Sequence, residues 1–220
     1  MLYLVATPIG NLKDITFRAI ETLKESDLIL AEDTRRSEQL LSHYEITKPL
    51  ESFHEHNELI KLPAVLAKLK NGAKIALVTD AGTPTISDPG FKLVRECLKE
   101  GIKVEPIPGP SAVLTALVAS GLPTDSFLFL GYLPKKAGKQ TEVLDFLEQV
   151  WSRRETTIVF FESPHRIKKT LAALAQRFPE RQVVLARELT KAHEEFIRGK
   201  ISEVVGKDFS AKGEFTLLLH

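Results

Sequence analysis

Short apolar runs rich in β-branched residues alternate with amphipathic stretches through the first half of this chain, and that alternation restricts the fold more than any other feature. Residues 2–6, 28–31, 74–79 and 102–106 read as strands. Between them, Ile15, Ala19, Ile20 and Leu23 recur at helical spacing, Leu40 and Leu41 mark a second helix, and Leu59, Val65, Leu66 and Leu69 a third. A fourth helix spans 91–99 and closes at Gly101. Strands separated by helix-length segments must cross over, so the pattern predicts α/β architecture with a mainly parallel sheet. Pro63 is expected to break or begin the third helix.

Pro106-Ile107-Pro108-Gly109-Pro110 packs three prolines and a glycine into five residues, a density no regular element is expected to absorb. It divides the chain into an N-terminal α/β domain, 1–108, and a C-terminal α/β domain, 109–220. A length of 220 residues, 43% of them apolar, suffices for two modest cores. After the boundary, Ser111 is placed to cap a small-residue helix that runs to Ser120 and ends at Gly121. Strands are expected at 127–130, 156–161, 182–186 and 215–219, with helices near 142–151 and 166–177.

Charge excludes one mode of action: 30 Lys and Arg nearly cancel 29 Asp and Glu, so no global positive field steers the protein to nucleic acid. Any RNA binding must use local patches. The single cysteine, Cys97, excludes a disulfide framework or a multi-cysteine zinc site, reads as a core thiol, and fits a reducing compartment. The sequence opens directly into Leu2-Tyr3-Leu4-Val5 without a basic leader, and no apolar run approaches the ~20 residues of a membrane helix. A cytoplasmic protein without a membrane partner is the expectation.

Several loops depart from ordinary turn chemistry. Thr7-Pro8-Ile9-Gly10-Asn11-Leu12 follows the first strand. It lacks the Gly-Lys-Ser/Thr ending of a phosphate loop and the three-glycine dinucleotide fingerprint, yet Gly10 permits close backbone approach and Asn11 can hydrogen-bond. Asp80-Ala81-Gly82-Thr83-Pro84-Thr85-Ile86-Ser87-Asp88-Pro89-Gly90 is a stiff loop that presents hydrogen-bonding groups without concentrated positive charge, which suits a neutral or zwitterionic ligand. Asp80 and Asp88 have no partner at a recognisable ligand spacing, so no metal is expected. Pro108 to Ser111 offers free amides at a helix start. These loops begin at strand carboxyl ends, where ligands bind in open α/β sheets.

Phe161-Glu162-Ser163-Pro164-His165-Arg166 leaves a strand and enters a helix, with Ser163 a reasonable N-cap and Pro164 a reasonable first helical residue. Glu162, His165 and Arg166 bring a carboxylate, an imidazole and a guanidinium together, which could orient a hydroxyl, take its proton or hold a phosphate; a structural Glu-Arg pair is the competing account. In His54-Glu55-His56-Asn57 the spacing puts His54 and His56 on one strand face, too close for a zincin, with Asn57 available to cap the next helix. Arg35 and Arg36, after Asp33-Thr34, match phosphate contacts. Lys135, Lys136 and Lys139 cluster in a glycine-containing loop and could supply a path for an RNA backbone.

Taken together, Thr7 to Leu12, Ala31-Glu32-Asp33-Thr34-Arg35, His54 to Asn57, Asp80 to Gly90, Pro108-Gly109-Pro110-Ser111, Phe161 to Arg166 and Ala186-Arg187-Glu188-Leu189-Thr190-Lys191 resemble the ribosomal RNA small subunit methyltransferase I family of the tetrapyrrole methylase superfamily. The resemblance spans essentially the whole chain. It implies two α/β domains of the tetrapyrrole-methylase type enclosing S-adenosylmethionine (SAM), and methylation of a cytidine ribose 2′-oxygen in small-subunit (16S) ribosomal RNA or a ribosomal particle. Carried over by position, SAM contacts are Pro8, Asp80, Ala81, Gly82, Thr83, Ile86, Ser111 and Ala112, with Phe161 and Leu189 from the second domain. RNA contacts are Asn11, Arg35, His54, His56, Lys135 and Lys136. A homodimer is also implied. Many members of that family continue into a further helical segment, whereas this sequence stops at His220.

A ribose hydroxyl is a weak nucleophile until its proton is removed or shared, so Glu162 or His165 is the candidate base, with Arg166 fixing the carboxylate or an RNA phosphate. Three other readings stand beside this one. One is a sibling methyltransferase acting on a tetrapyrrole or a protein; a second is a non-catalytic RNA-binding assembly factor, which would have no use for the Asp80 to Gly90 loop; the third, a nicotinamide oxidoreductase, is disfavoured by the missing three-glycine fingerprint.

Overall fold

The computed structural model describes residues 1–220, and the chain forms two compact units, Met1–Ser111 and Ala112–His220. In the first, β1 (Leu2–Val5), β2 (Leu28–Ala31), β3 (Leu50–Ser52), β4 (Ile75–Val78) and β5 (Val104–Ile107) make an all-parallel sheet of order β3-β2-β4-β1-β5. Helices α1 (Phe17–Glu25), α2 (Thr34–His43), α3 (Glu58–Lys70) and α4 (Phe91–Lys99) are the crossovers. Alternate strand residues feed two cores, as a sheet covered on both faces requires. Leu28, Leu30, Ile75 and Leu77 pack with Val65, Leu69, Leu93 and Cys97, whereas Ile29, Ala31, Ala76 and Val78 pack with Ala19, Leu23 and Leu41.

The strand order has a functional consequence. From β1 the chain crosses toward β2, and from β4 it crosses back past β1 to β5, so the loops after these two neighbouring strands depart in opposite directions. A crevice at the strand carboxyl ends follows from that reversal.

The second unit holds a mixed sheet, β6-β7-β10-β8-β9, from β6 (Phe127–Tyr132), β7 (Thr157–Glu162), β8 (Gln182–Arg187), β9 (Glu195–Lys200) and β10 (Phe215–Leu219). Only β6 and β7 are parallel neighbours. Helices α6 (Ala137–Arg153), α7 (Ile167–Arg177) and α8 (Ile201–Val204) supply Leu144, Leu147, Leu171, Leu174 and Val204 to the main core. The opposite face carries α5 (Ala112–Ser120), packed on β7, β8 and β10. No helix is long and apolar enough to cross a membrane.

Several local expectations are corrected. Pro63 lies inside α3, which runs through it; an early proline forfeits one amide donation, and the buried side chains of Glu58, Val65 and Leu69 hold the helix in place. Pro106 and Ile107 are absorbed by β5, because this is an edge strand where a missing N–H is harmless. Helix α6 begins at Ala137, so Lys139 lies in its first turn and only Lys135 and Lys136 precede it. Helix α7 begins at Ile167 behind Arg166; Ser163 is no N-cap, since its carbonyl closes a preceding turn by accepting from the amides of Arg166 and Ile167. Strands β3 and β9 and helix α8, all short or at a sheet edge, carry too little apolar periodicity to be read directly.

Candidate functional site

The loops after β1, β4 and β5, on three adjacent strands, are fastened to one another. The amide of Thr7 donates to the Gly82 carbonyl at 2.9 Å, and that of Gly82 returns a bond to Thr7 at 3.0 Å. The Thr83 hydroxyl donates to the Pro110 carbonyl at 3.2 Å, and the Thr7 hydroxyl to the Thr79 carbonyl at 3.2 Å. Pro8, Asp80, Ala81, Gly82, Thr83, Ile86 and Ser111, distant in sequence, therefore belong to one edge of one sheet. Ala112 opens α5 in the second unit.

The loop after β4 is held in an unusual backbone. Thr85 and Ser87 both have positive φ, 73° and 65°, conformations that non-glycine side chains adopt only when their surroundings enforce them. Ile86 between them is 46% exposed, an apolar side chain pushed outward by that backbone.

Acidic groups gather beside this loop. The Thr79 hydroxyl donates to Glu32 at 3.0 Å, the Asp33 amide donates to Asp80 at 2.9 Å, and Arg36 pairs with Asp80 at 3.3 Å. Burial pushes the Asp88 carboxyl up to about 6, with the charges of Glu32 and Asp80 adding to the rise. Glu32, Thr79 and Asp88 were not singled out as site residues by the sequence, although a carboxylate directly after a fully apolar strand is a usable signal.

Of the residues assigned to RNA, Arg35 is bound in a fork to Asp33 at 3.1 and 2.8 Å, and that hydrogen-bonded guanidinium holds the Asp33 carboxyl down at about 2. Arg35 and Leu12, the neighbour of Asn11, line one open hollow with Glu38, Gln39, Ser42 and His43. Asn11 itself caps a short 3₁₀ turn by accepting from Lys13. His54 and His56 are not on a strand: they follow β3 in a turn, with rings 6.0 Å apart. Asn57 does not cap α3; its side chain folds back, accepting from the His54 amide at 2.8 Å and donating toward Ser52 and His54 Nε2. The turn, rather than the helix, claims its hydrogen-bonding capacity.

In the second unit, Glu162 is wholly buried. Its carboxylate accepts from the Ser163 amide at 2.7 Å and from the Thr170 hydroxyl at 2.6 Å, with Arg166 at 3.5 Å. Arg166 also donates to the Leu133 carbonyl at 2.6 Å, tying the loop after β7 to the loop after β6. His165 is exposed. Phe161 is half-buried and packs on Phe129 and Tyr132. Leu189 is buried between Glu188 and Thr190, which have φ of 51° and 65°. Lys135 and Lys136 are exposed beside Tyr132 in sequence, ahead of α6.

Buried polar side-chain atoms ordinarily find partners. Three here do not: Asp14 Oδ2, His54 Nδ1 and Thr190 Oγ1. They lie after β1, β3 and β8, in each case beyond the carboxyl end of a strand. Of the three, Thr190 also has a left-handed backbone, φ 65°.

The chain is similar to known proteins. The model of the Tetrapyrrole (Corrin/Porphyrin) Methylases matches residues 1–205. The chain is 50% identical over 220 residues to Ribosomal RNA small subunit methyltransferase I of Halalkalibacterium halodurans, covering 99% of this chain and 75% of that one. It is 48% identical to the protein of the same name from Thermotoga maritima, covering 99% and 97%. A crystal structure of diphthine synthase superposes with a TM-score of 0.77 at 14% identity, covering 99% of this chain and 89% of that one, a likeness of fold alone. The chain thus belongs to the tetrapyrrole methylases, and within them to the ribosomal RNA small subunit methyltransferase I family.

Proposed function

We propose that this chain is a SAM-dependent ribosomal RNA methyltransferase, and that its acceptor is the ribose 2′-oxygen of a cytidine in the small-subunit RNA. The observation that carries the reading is the fastening of the loops after β1, β4 and β5 by the Thr7–Gly82 exchange and the Thr83–Pro110 bond. Methyltransferase activity on ribosomal RNA is what the relatives' names denote; the 2′-oxygen, the cytidine and the donor are the finer part of the proposal.

The donor set fits SAM. The Thr7–Gly82 exchange and the Thr83–Pro110 bond fix the loop backbones around a ligand, and the carboxylates of Glu32 and Asp80 favour one with net positive charge. Pro8, Asp80, Ala81, Gly82, Thr83 and Ile86 would hold it, with Ser111. When bound, SAM supplies a methyl group activated by a positively charged sulfur.

The chain's own task is to bind, orient and deprotonate. Rigid loops hold one fixed geometry, and such placement is worth roughly 7–11 kcal/mol of a barrier. His165, with an exposed ring, is the group able to take the proton of the acceptor hydroxyl; Glu162 is sealed off by its own hydrogen bonds and acts through Arg166 to fix the loop. The proposal includes a cytoplasmic homodimer, which sedimentation equilibrium checks for its dimeric part.

Mapping ribose methylation in small-subunit RNA from cells with and without this protein tests the reading. One cytidine methylation should vanish without it. Unchanged methylation, together with no SAM binding in calorimetry, would leave an assembly factor; transfer to a tetrapyrrole or a protein instead would make it a sibling enzyme.

A further inference from the structure

One aromatic cluster has an exposed member, Tyr132, that the chemistry above does not use. Tyr132 ends β6 with its residue 57% exposed, and its ring meets Phe161 at 5.8 Å edge-on; Phe129 meets the same Phe161 at 4.9 Å. Residues three apart on a regular strand face opposite sides. Here the register shifts: Phe129 pairs with Val159, but Tyr132 pairs with Phe161, so one extra residue has entered β6. Gly131 carries the left-handed conformation this bulge uses, φ 66°. The bulge brings Tyr132 to the same side as Phe129, while Leu128 and Leu130 remain against the core.

The platform is stiff and has a basic rim. Phe161 backs the Tyr132 ring and is itself braced by Phe129, and Arg166 clamps the adjoining carbonyls of Leu133 and Pro134. Immediately beyond come Lys135, Lys136 and Lys139, all exposed, and none joins the ion pairs that occupy Arg166 and Arg177 nearby in the same unit. An exposed aromatic face with unneutralised ammonium groups beside it matches the two demands of single-stranded RNA, a stacking surface for an unstacked base and cations for its phosphates.

We infer that Tyr132, backed by Phe161, is a stacking platform for a base of the single-stranded RNA substrate, with Lys135 and Lys136 on the adjacent phosphates. The inference rests on the RNA-modifying reading above and adds a specificity-determining surface to it. Phe161 acts here as the floor of the platform. The loop that carries His165 starts from the same β7 end, so a base held on Tyr132 places its strand at the candidate proton acceptor.

The test uses the full chain and a short single-stranded oligocytidylate, with affinity read by fluorescence anisotropy across a salt series. Tyr132→Ala should weaken binding roughly five- to hundredfold without changing the salt slope, and Tyr132→Phe should bind as wild type. Lys135→Gln with Lys136→Gln should reduce the slope by about 1.4. Gly131→Val, which removes the left-handed residue, should reproduce the Tyr132→Ala loss while thermal unfolding stays cooperative. Wild-type affinity in Tyr132→Ala, or no oligonucleotide binding by the wild type, overturns the platform. A loss of SAM affinity in Tyr132→Ala with RNA binding unchanged also overturns it, assigning the ring to the donor's adenine. Failure of the enzymatic reading is separately visible, as RNA binding through Tyr132 without any methyl transfer.

Discussion

Thr7 and Gly82 exchange both backbone hydrogen bonds, at 2.9 and 3.0 Å, although 75 residues apart they lie on loops that leave neighbouring strands in opposite directions. Gly82 does this at φ +88°, where an added Cβ would still have room, 3.5 Å from Ile9. The penalty for a side chain is thus conformational, about 1–2 kcal/mol for a non-glycine residue there. Gly82→Val should lower thermal stability slightly and SAM affinity at least tenfold, measured by scanning and titration calorimetry. Unchanged SAM affinity would separate the exchange from ligand binding.

Asp88 should make stability depend on pH in an uncommon direction. Folding raises its carboxyl from 3.8 to about 6, so the folded chain holds that proton more tightly. Its stabilising contribution is complete below pH 4 and is lost as pH rises through 6. After allowance for partial exposure this amounts to about 1–2 kcal/mol. Asp88→Asn should be more stable than wild type at pH 8 and equal to it near pH 4, in denaturant titrations at both pH values.

Glu162 and His165 should separate stability from chemistry. Glu162→Gln removes the buried charge that faces Arg166 and weakens the charge-assisted bonds from the Ser163 amide and the Thr170 hydroxyl, and should destabilise the fold by about 1–3 kcal/mol. His165→Ala should leave the unfolding midpoint unchanged while lowering the single-turnover methyl-transfer rate about 100-fold or more. A His165→Ala rate near wild type would remove that residue from the chemistry.

Cys97 should be inert in the native protein. It is fully buried in the α3/α4 core, and burial pushes its thiol up to about 11, leaving almost no thiolate at neutral pH. Thiol titration should show no reaction until denaturant unfolds the first unit. Rapid native labelling would contradict the packing.

Legibility in the sequence followed the strength of local signals. β1, β2, β4 and β10 are short apolar runs with clear edges, and each was readable to within a residue or two. β3, three half-buried residues, and β9, at the sheet edge, have no such signature. Cap positions misled at Ser163 and Asn57, because both residues have a second way to satisfy their polar groups, within a turn, and the sequence does not rank the two. Asn11 and Asp33, with no competing turn partner, do cap as their types suggest.

By itself, the sequence determined the element types, the parallel character of the first sheet and the stretches too rich in proline and glycine to be ordinary turns, because these depend on side-chain period and on backbone restrictions carried by single residues. Only the tertiary structure decided which groups work together. Strand order joined Thr7 to Gly82 and Glu32 to Thr79, a hydrogen-bond network buried Glu162 while leaving His165 outside, and one inserted residue turned Tyr132 onto the side of Phe129. Those outcomes depend on register and long-range pairing, where a shift of one residue reverses a side chain's direction and no local preference records it.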